Sequence, residues 1–335
     1  RRNNAEDDYG AYIMTVNNDG QPTFFQRLRG NRGFNFGRTA DGQMYYGQVL
    51  DNGVGRGASM DSVFRVLDND GEIVQEYQIV DGRTNPHEFI LLDNGNVILI
   101  SQPVEILDLT DYGGDVEAVT VAAIVQEIAP EGTIVFEWDS RDYFTVEDTA
   151  REGFLTATPP DPVPYIHVNG VAVANDGNWI ISARRFDELI KIDRATGAVI
   201  WHMGGGDSKH NEFTFINDPM SGFSGQHHVQ VLPNGNILLF DNGSANPIQT
   251  SRAVEYAIDE ENRTATLVWS YGDGRYTPTL GSVQRLSNGN TLIGWGSAPG
   301  YSVTEVTRDG RVAFAMALPP TQMSYRAYRF EASED

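Results

Sequence analysis

Residues 227–243 read HHVQVLPNGNILLFDNG: an alternating strand, a Pro-Asn-Gly-Asn turn and a second, apolar strand. An Asn-Gly step between such strands is a strong hairpin signal, because the turn needs a residue that tolerates positive φ. The phrase returns as HEFILLDNGNVILIS (87–101), HVNGVAVANDGNWIISA (167–183) and GSVQRLSNGNTLIGWG (281–296), and more loosely as FNFGRTADGQMYYGQV (34–49). A second hairpin type alternates with it: VFRVLDNDGEIVQEYQI (63–79), AAIVQEIAPEGTIVFEWDS (122–140), ELIKIDRATGAVIWHMG (188–204), AVEYAIDEENRTATLVWSYG (253–272) and VTEVTRDGRVAFAMAL (303–318). One hairpin of each type makes a four-stranded sheet, so five sheets are expected from Phe34 to Leu318. A recurring strand unit predicts a radial architecture.

The termini carry an unpaired hairpin, YIMTVNNDGQPTFFQRL (12–28), and a lone strand, SYRAYRFE (324–331). Joining them closes a ring and removes exposed sheet edges. The expectation is an all-β, six-bladed β-propeller in one domain over residues 1–335, its sixth blade closed by N- and C-terminal strands. The stretch 141–164 is too long for a simple turn and is expected to overhang the channel as a lid. The segment 210–223 is expected on the same face.

Composition narrows the partners. Of 335 residues, 24 are basic and 46 acidic, for a net charge of −22, so nucleic acid and anionic membranes are repelled. No apolar run approaches the ~18 residues of a membrane-spanning helix. There is no cysteine, which excludes thiolate metal sites, cysteine nucleophiles and disulfides while leaving the compartment open.

Three of the six histidines open repeats. The first strand of each propeller blade lines the channel, so residues at its start converge around the axis. His87 and His227 lie nine residues before the Asn after the turn glycine, and His167 two residues further, an even offset that keeps it on the same strand face. His87, His167 and His227 are therefore expected in one funnel. Arg184, at the end of the next strand, offers a planar fork for sulfate, phosphate or carboxylate. Arg326 is a further candidate beside Arg252 and Arg329, whereas His202 and His210 break the register and read as structural or exposed. Zinc is weighed and not assigned: His227-His228 is the one close pair, and adjacent strand residues face opposite ways. Asp68-Asn69-Asp70-Gly71 lacks the spacing of a calcium loop and reads as a hairpin turn. No Gly-x-Ser-x-Gly elbow or phosphate-cradling loop is present, and no cofactor is expected.

Taken in order, PHEF at Pro86, YIHVNGVAVANDGNWIISAR from Tyr165, KIDRATGAVIWHMGG from Lys191, FSGQHHVQVLPNGNILLFDNG from Phe223, GSVQRLSNGNTLIGWG and SYRAYRF resemble the arylsulfotransferase family, in particular its shorter, secreted-type members. The resemblance implies a six-bladed propeller that moves a sulfuryl group from an aryl sulfate to a phenol without a nucleotide donor. It implies a histidine nucleophile, with two more histidines and an arginine around the sulfate. By motif His227 matches the nucleophile, His87 and His167 the flanking pair and Arg184 the clamp. The motif does not choose between His227 and His228, or between Arg184 and Arg185; shared register with His87 favours His227. Tyr165, Asn169 and Trp295 are expected beside the substrate, and a secreted or periplasmic location goes with the likeness. A carbohydrate-active propeller, such as a polysaccharide lyase acting on an anionic sugar, and a non-enzymatic binding propeller are the alternatives.

Overall fold

A computed structural model describes residues 11–28, 32–51, 60–156, 162–246, 248–319 and 322–330. Five blades of four antiparallel strands follow one another among the described residues, with a separate hairpin inserted into the sequence of blade 2 and a fifth, parallel strand at the edge of blade 4. Blade 1 holds Gly33–Arg38, Met44–Asp51, Asp61–Leu67 and Ile73–Tyr77, and blade 2 holds Thr84–Leu91, Val97–Ser101, Ile124–Ile128 and Ile134–Asp139. Blade 3 holds Val168–Val173, Trp179–Ala183, Glu188–Ile192 and Val199–Gly204. Blade 4 comprises His227–Val231, Ile237–Asp241, Arg252–Asp259 and Thr264–Tyr271; blade 5 comprises Ser282–Arg285, Thr291–Gly294, Val303–Val306 and Val312–Met316. The turns behave as their residues dictate: Gly235 sits at φ 84° and closes on Leu232 O at 2.8 Å, while the Asn234 side chain caps the Asn236 N–H. The Asp68 carboxylate likewise accepts from the N–H groups of Asp70 and Glu72, which makes that acidic stretch a turn.

First strands of consecutive blades adjoin from blade 1 to blade 5. Each blade-to-blade seam is sealed by an apolar cluster, such as Trp138, Trp179 and Phe186 between blades 2 and 3, or Phe240, Val283 and Trp295 between blades 4 and 5. Removing one such indole costs about 3–5 kcal/mol.

Among the described residues, the sixth blade expected from the termini does not form. Tyr12–Val16 pairs with Pro22–Arg27 alone, and residues 322–330 form no strand. A ladder needs free backbone groups, and in the tail the N–H groups of Ala327 and Arg329 are taken by the side chains of Ser282 and Gln284. The tail instead enters as a wedge between blades 5 and 1: the Tyr325 ring meets Phe34 edge-on at 4.9 Å, and the Arg326 side chain donates to Asn35 of blade 1.

Three further parts lie outside the five four-stranded sets. Val104–Leu107 and Ala118–Val121 form a separate two-stranded sheet between the second and third strands of blade 2 in sequence. Thr214–Ile216 runs parallel to the outermost strand of blade 4, so this part of 210–223 lies at the blade's rim and not over the channel. The loop expected as a lid is packed down through residue 155: Phe144 and Leu155 join the core, and the Ala150 N–H bonds Arg185 O at 2.9 Å. Its residues 157–161 lie outside the described residues.

Candidate active site

The inner strands do not reach the channel mouth as regular strands. Register slips between Phe34 and Gly37, Asn85 and Phe89, Val168 and Gly170, and His227 and Gln230. Asn35 and His228 take φ near +50° within these bulges, and His167 does so one residue ahead of the Val168–Gly170 slip. A bulge re-aims its side chains, so strand alternation no longer decides which way they point. His227 and His228 therefore do not face opposite sides; both are buried toward the axis, His227 at the mouth and His228 further down. Blade 5 has Gly281 in the corresponding place because a Cβ there would lie 2.4 Å from the Phe240 ring.

At the mouth the rings of His87 and His167 meet edge to face at 5.1 Å. Asn85 donates its amide to Gln102 Oε1 at 2.7 Å, which leaves its Oδ1 to accept from Nδ1 of His87. His87 thus carries its proton on Nδ1 and a lone pair on Nε2. The same logic holds at His227: Asn242 donates to Thr277 O and Leu280 O, so its Oδ1 accepts from Nδ1 of His227 at 2.7 Å. The lone pair of His227 lies on Nε2, where the Leu280 N–H meets it at 3.2 Å. His167 has no ring hydrogen bond among the described residues.

Arg184 reaches this group from blade 3. Its Nη2 donates to Pro278 O at 2.8 Å, two residues before the Leu280 that touches His227. Among the described residues neither Arg184 nor Arg185 has a carboxylate partner, and the Nε of each is buried without an acceptor. The nearby Asp187 is spent on Arg151, at 2.6 and 3.1 Å, and on the Gly225 N–H. Arg185 stacks on Phe154 with its guanidinium carbon 3.8 Å from the ring centre. Burial pushes the Arg185 pKa down to about 10, with Arg184 and Arg151 adding to the effect, and burial lowers Arg184 as well.

The same surroundings keep the imidazoles neutral. Burial, then Arg326 and Arg184, lowers His87 to about 3. Burial also holds His167 well below its ordinary value, helped by His87, Arg184 and Arg185, and holds His227 there with help from Arg184. Two uncompensated cations beside three neutral rings make a site with surplus positive charge inside a protein of strongly negative net charge. Such a site favours an anion.

The remaining candidates fall elsewhere. Arg326 forms a two-pronged pair with Glu88 at 2.7 and 3.0 Å and bonds Asn35, so its charge is spent. Nδ1 of His228 accepts from the Val283 N–H at 3.0 Å, leaving its Nε2–H for Tyr328 at 3.3 Å. Asn169 uses its amide on Gln226 O and so braces the turn before His227. Tyr165 belongs to the core between blades 2 and 3, and Trp295 is fully buried with its Nε1–H on Thr304; neither lines the mouth. Arg252 is bound to Asp218 and Asp241. Beyond the Arg326–Glu88 pair the inner strands line a cavity of about 380 Å³ that includes Tyr45, Val171, His228, Gln230 and Tyr328.

Sequence reasoning missed Asn85, Asn242, Glu88 and Tyr325. Both asparagines stand in quoted repeats or next to them, and the signal was an amide beside each histidine pair of strands. Glu88 follows His87 directly, where a carboxylate inside a channel needed a cation.

A family model described as arylsulfotransferase (ASST) matches residues 2–329. Arylsulfate sulfotransferase AssT of Escherichia coli O6:H1 (strain CFT073) is 23% identical over 298 residues, covering 68% of this chain and 48% of that protein. The chain thus spans about half the length of the curated relative it matches. Two crystal structures of proteins of unknown function share the fold. One, from Bacteroides caccae, has a TM-score of 0.57 at 12% identity and covers 95% of this chain and 94% of that one. The other, from Dyadobacter fermentans, has a TM-score of 0.50 at 11% identity and covers 88% and 84%.

Proposed function

We propose, from the premise that this chain belongs to the arylsulfotransferase (ASST) family, that it moves a sulfuryl group from an aryl sulfate to a phenol through a sulfohistidine at His227. The observation that carries the reading is the half-buried Arg184, without a carboxylate partner among the described residues, beside neutral imidazoles. An aryl sulfate supplies the missing negative charge.

In this reading Nε2 of His227 attacks sulfur, the N–S bond forms as the S–O(aryl) bond breaks, and phenolate leaves to take a proton from water. The sulfated ring keeps its Nδ1–H on Asn242. A neutral amide cannot remove that proton, so the ring stays cationic and remains a good leaving group. The Leu280 N–H, freed from the lone pair, donates to a sulfuryl oxygen together with Arg184 and His167. Once the sulfuryl oxygens offset the arginine charge that depresses His87, the incoming phenol gives its proton to Nε2 of that ring and attacks sulfur, and the N–S electron pair returns to His227. Arg185 and Arg151 add positive potential behind Arg184. Secretion of the chain is part of the proposal and rests on the family likeness; fractionation of producing cells tests it.

The deciding experiment mixes the protein with p-nitrophenyl sulfate, with and without phenol. Nitrophenolate release that rises with phenol is expected, and without acceptor a peptide containing His227 should gain the mass of SO₃. Turnover with no sulfated histidine removes the covalent step. No turnover, together with new absorbance on uronic-acid polymers, transfers the site to the lyase reading.

A further inference from the structure

Away from the channel, Glu188 opens the third strand of blade 3 and is fully buried, yet among the described residues no arginine or lysine pairs with it. Its Oε2 lies 3.0 Å from Nδ1 of His202, on the fourth strand of the blade. Its Oε1 lies 3.3 Å from Nδ1 of His210, on the following loop, and accepts from Ser208 Oγ at 2.8 Å. On the other side of the His210 ring, Nε2 stands 3.0 Å from Asp148 Oδ1.

These contacts fix an unusual juxtaposition. A carboxylate only accepts, so Nε2 of a neutral His210 must carry the proton and donate it to Asp148. The lone pair of His210 then lies on Nδ1 and faces the Glu188 carboxylate. Two acceptors at hydrogen-bond distance repel unless a cation joins them. We propose that Glu188, His202 and His210 hold one divalent transition ion, for which zinc is the best match.

The donor set is two imidazoles and a carboxylate, a combination suited to zinc with a further position for water or the Ser208 hydroxyl. The three ligand atoms lie within 4.8 Å of one another. Tetrahedral zinc with bonds near 2 Å separates its donors by about 3.3 Å, close to the contacts of 3.0 and 3.3 Å that the two Glu188 oxygens make, one to each imidazole. Asp148 on the remote nitrogen of His210 completes a carboxylate–histidine–metal arrangement, which orients the ring and raises its basicity. Phe144 packs against both imidazoles, at 5.7 and 6.1 Å, and closes the site on one side.

The ion has a mechanical consequence. It ties blade 3 to the loop that follows it and, through Asp148, to the stretch carrying Arg151 and Phe154, the residues around Arg185. It takes no part in the transfer reaction, and the inference stands whether or not that reaction does.

The test uses the full chain, stripped with a chelator and dialysed. Zinc titration by calorimetry should give one ion per chain with proton release, and cobalt(II) should produce the intense visible bands of a four-coordinate ion that zinc then bleaches. His202→Ala and His210→Ala should each abolish the bands, and Asp148→Asn should weaken binding by about tenfold or more. Both alanine variants are checked for folding by near-ultraviolet circular dichroism. The cobalt spectrum of the native chain needs no variant. A native chain that takes up neither zinc nor cobalt overturns the site and leaves a proton as the joining cation. Equal uptake by the His202→Ala/His210→Ala double variant overturns the ligand assignment.

Discussion

Arg184 and Arg326 both send a guanidinium toward the channel axis, and His227 and His228 both turn an imidazole there, but the two ends of the channel are finished differently. Further down, Arg326 is neutralised by Glu88, and both nitrogens of His228 are occupied by Val283 and Tyr328. At the mouth, Arg184 has a backbone carbonyl and no carboxylate, and the lone pair of His227 is met by a single N–H at 3.2 Å. The lower set joins blades 1, 2 and 3 to the C-terminal tail. The upper set holds unspent charge and an unspent lone pair. Residue type is the same at both ends; the partners separate structure from chemistry.

The sharpest way to break this comparison is to exchange its histidines. His227→Ala should reduce transfer by about 10⁴-fold or more while the circular dichroism spectrum stays native. His228→Gln should keep most of the activity and lower thermal stability instead. Steady-state rates with p-nitrophenyl sulfate check both. If the losses are interchanged, the nucleophile is the wrong member of the pair.

The arginines give the next largest contrast. Glu88→Ala strands a buried cation among three blades and should cost about 3–5 kcal/mol in denaturant unfolding. Arg184→Ala removes a cation that has no counter-charge, so unfolding should be unchanged or shifted to higher denaturant. Its kcat/KM for aryl sulfate should fall by about 10²–10³-fold. A stability loss in Arg184→Ala as large as in Glu88→Ala would show that the mouth is built for rigidity.

How much of this was legible in the sequence follows from range. The Asn-Gly turns are local, and they located all five blades and, to within three residues, the strand starts near which His87, His167 and His227 stand. The sixth blade failed because pairing depends on which backbone groups are free, and Ser282 and Gln284, some 45 residues from the tail, had already taken them. The face rule failed at His228 because one bulge residue at φ 47° cancels alternation, and His-His carries no bulge signal. Arg326 stood as a further candidate because the sequence does not say that Glu88, 238 positions away, will meet it. Tyr165 and Trp295 were aromatic residues in the right repeats whose rings fill seams between blades.

Acidity sharpens the comparison by a smaller factor. An imidazole titrating near 6.5 would lose about thirtyfold of its neutral form at pH 5. Because burial and Arg184 hold His227 well below that value, kcat/KM at pH 5 should stay close to its neutral-pH value. An acid limb near pH 6.5 would mean that the ring is solvated and unpressed by the arginine. Folding should respond in the opposite sense. In the unfolded chain His87, His167, His227 and His228 recover ordinary pKa values and bind protons that the folded protein refuses. Stability should therefore fall as pH drops from about 6.5, since the unfolded state then binds more protons.

The smallest effect belongs to Tyr328. Its hydroxyl meets His228 Nε2 and Arg326 Nη1, each at 3.3 Å, and lies 3.4 Å from Asn35 Oδ1, so it is shared among blades 1 and 4 and the tail. Tyr328→Phe keeps the ring and its packing against His228 while leaving the His228 N–H unpaired. The expected cost is about 1 kcal/mol in unfolding, the net worth of one buried hydrogen bond. Transfer kinetics should not change, because nothing at the mouth bonds that hydroxyl. A shift in kcat with stability intact would mean that the two ends of the channel are coupled through Arg326, and that the lower set helps tune the potential at His227.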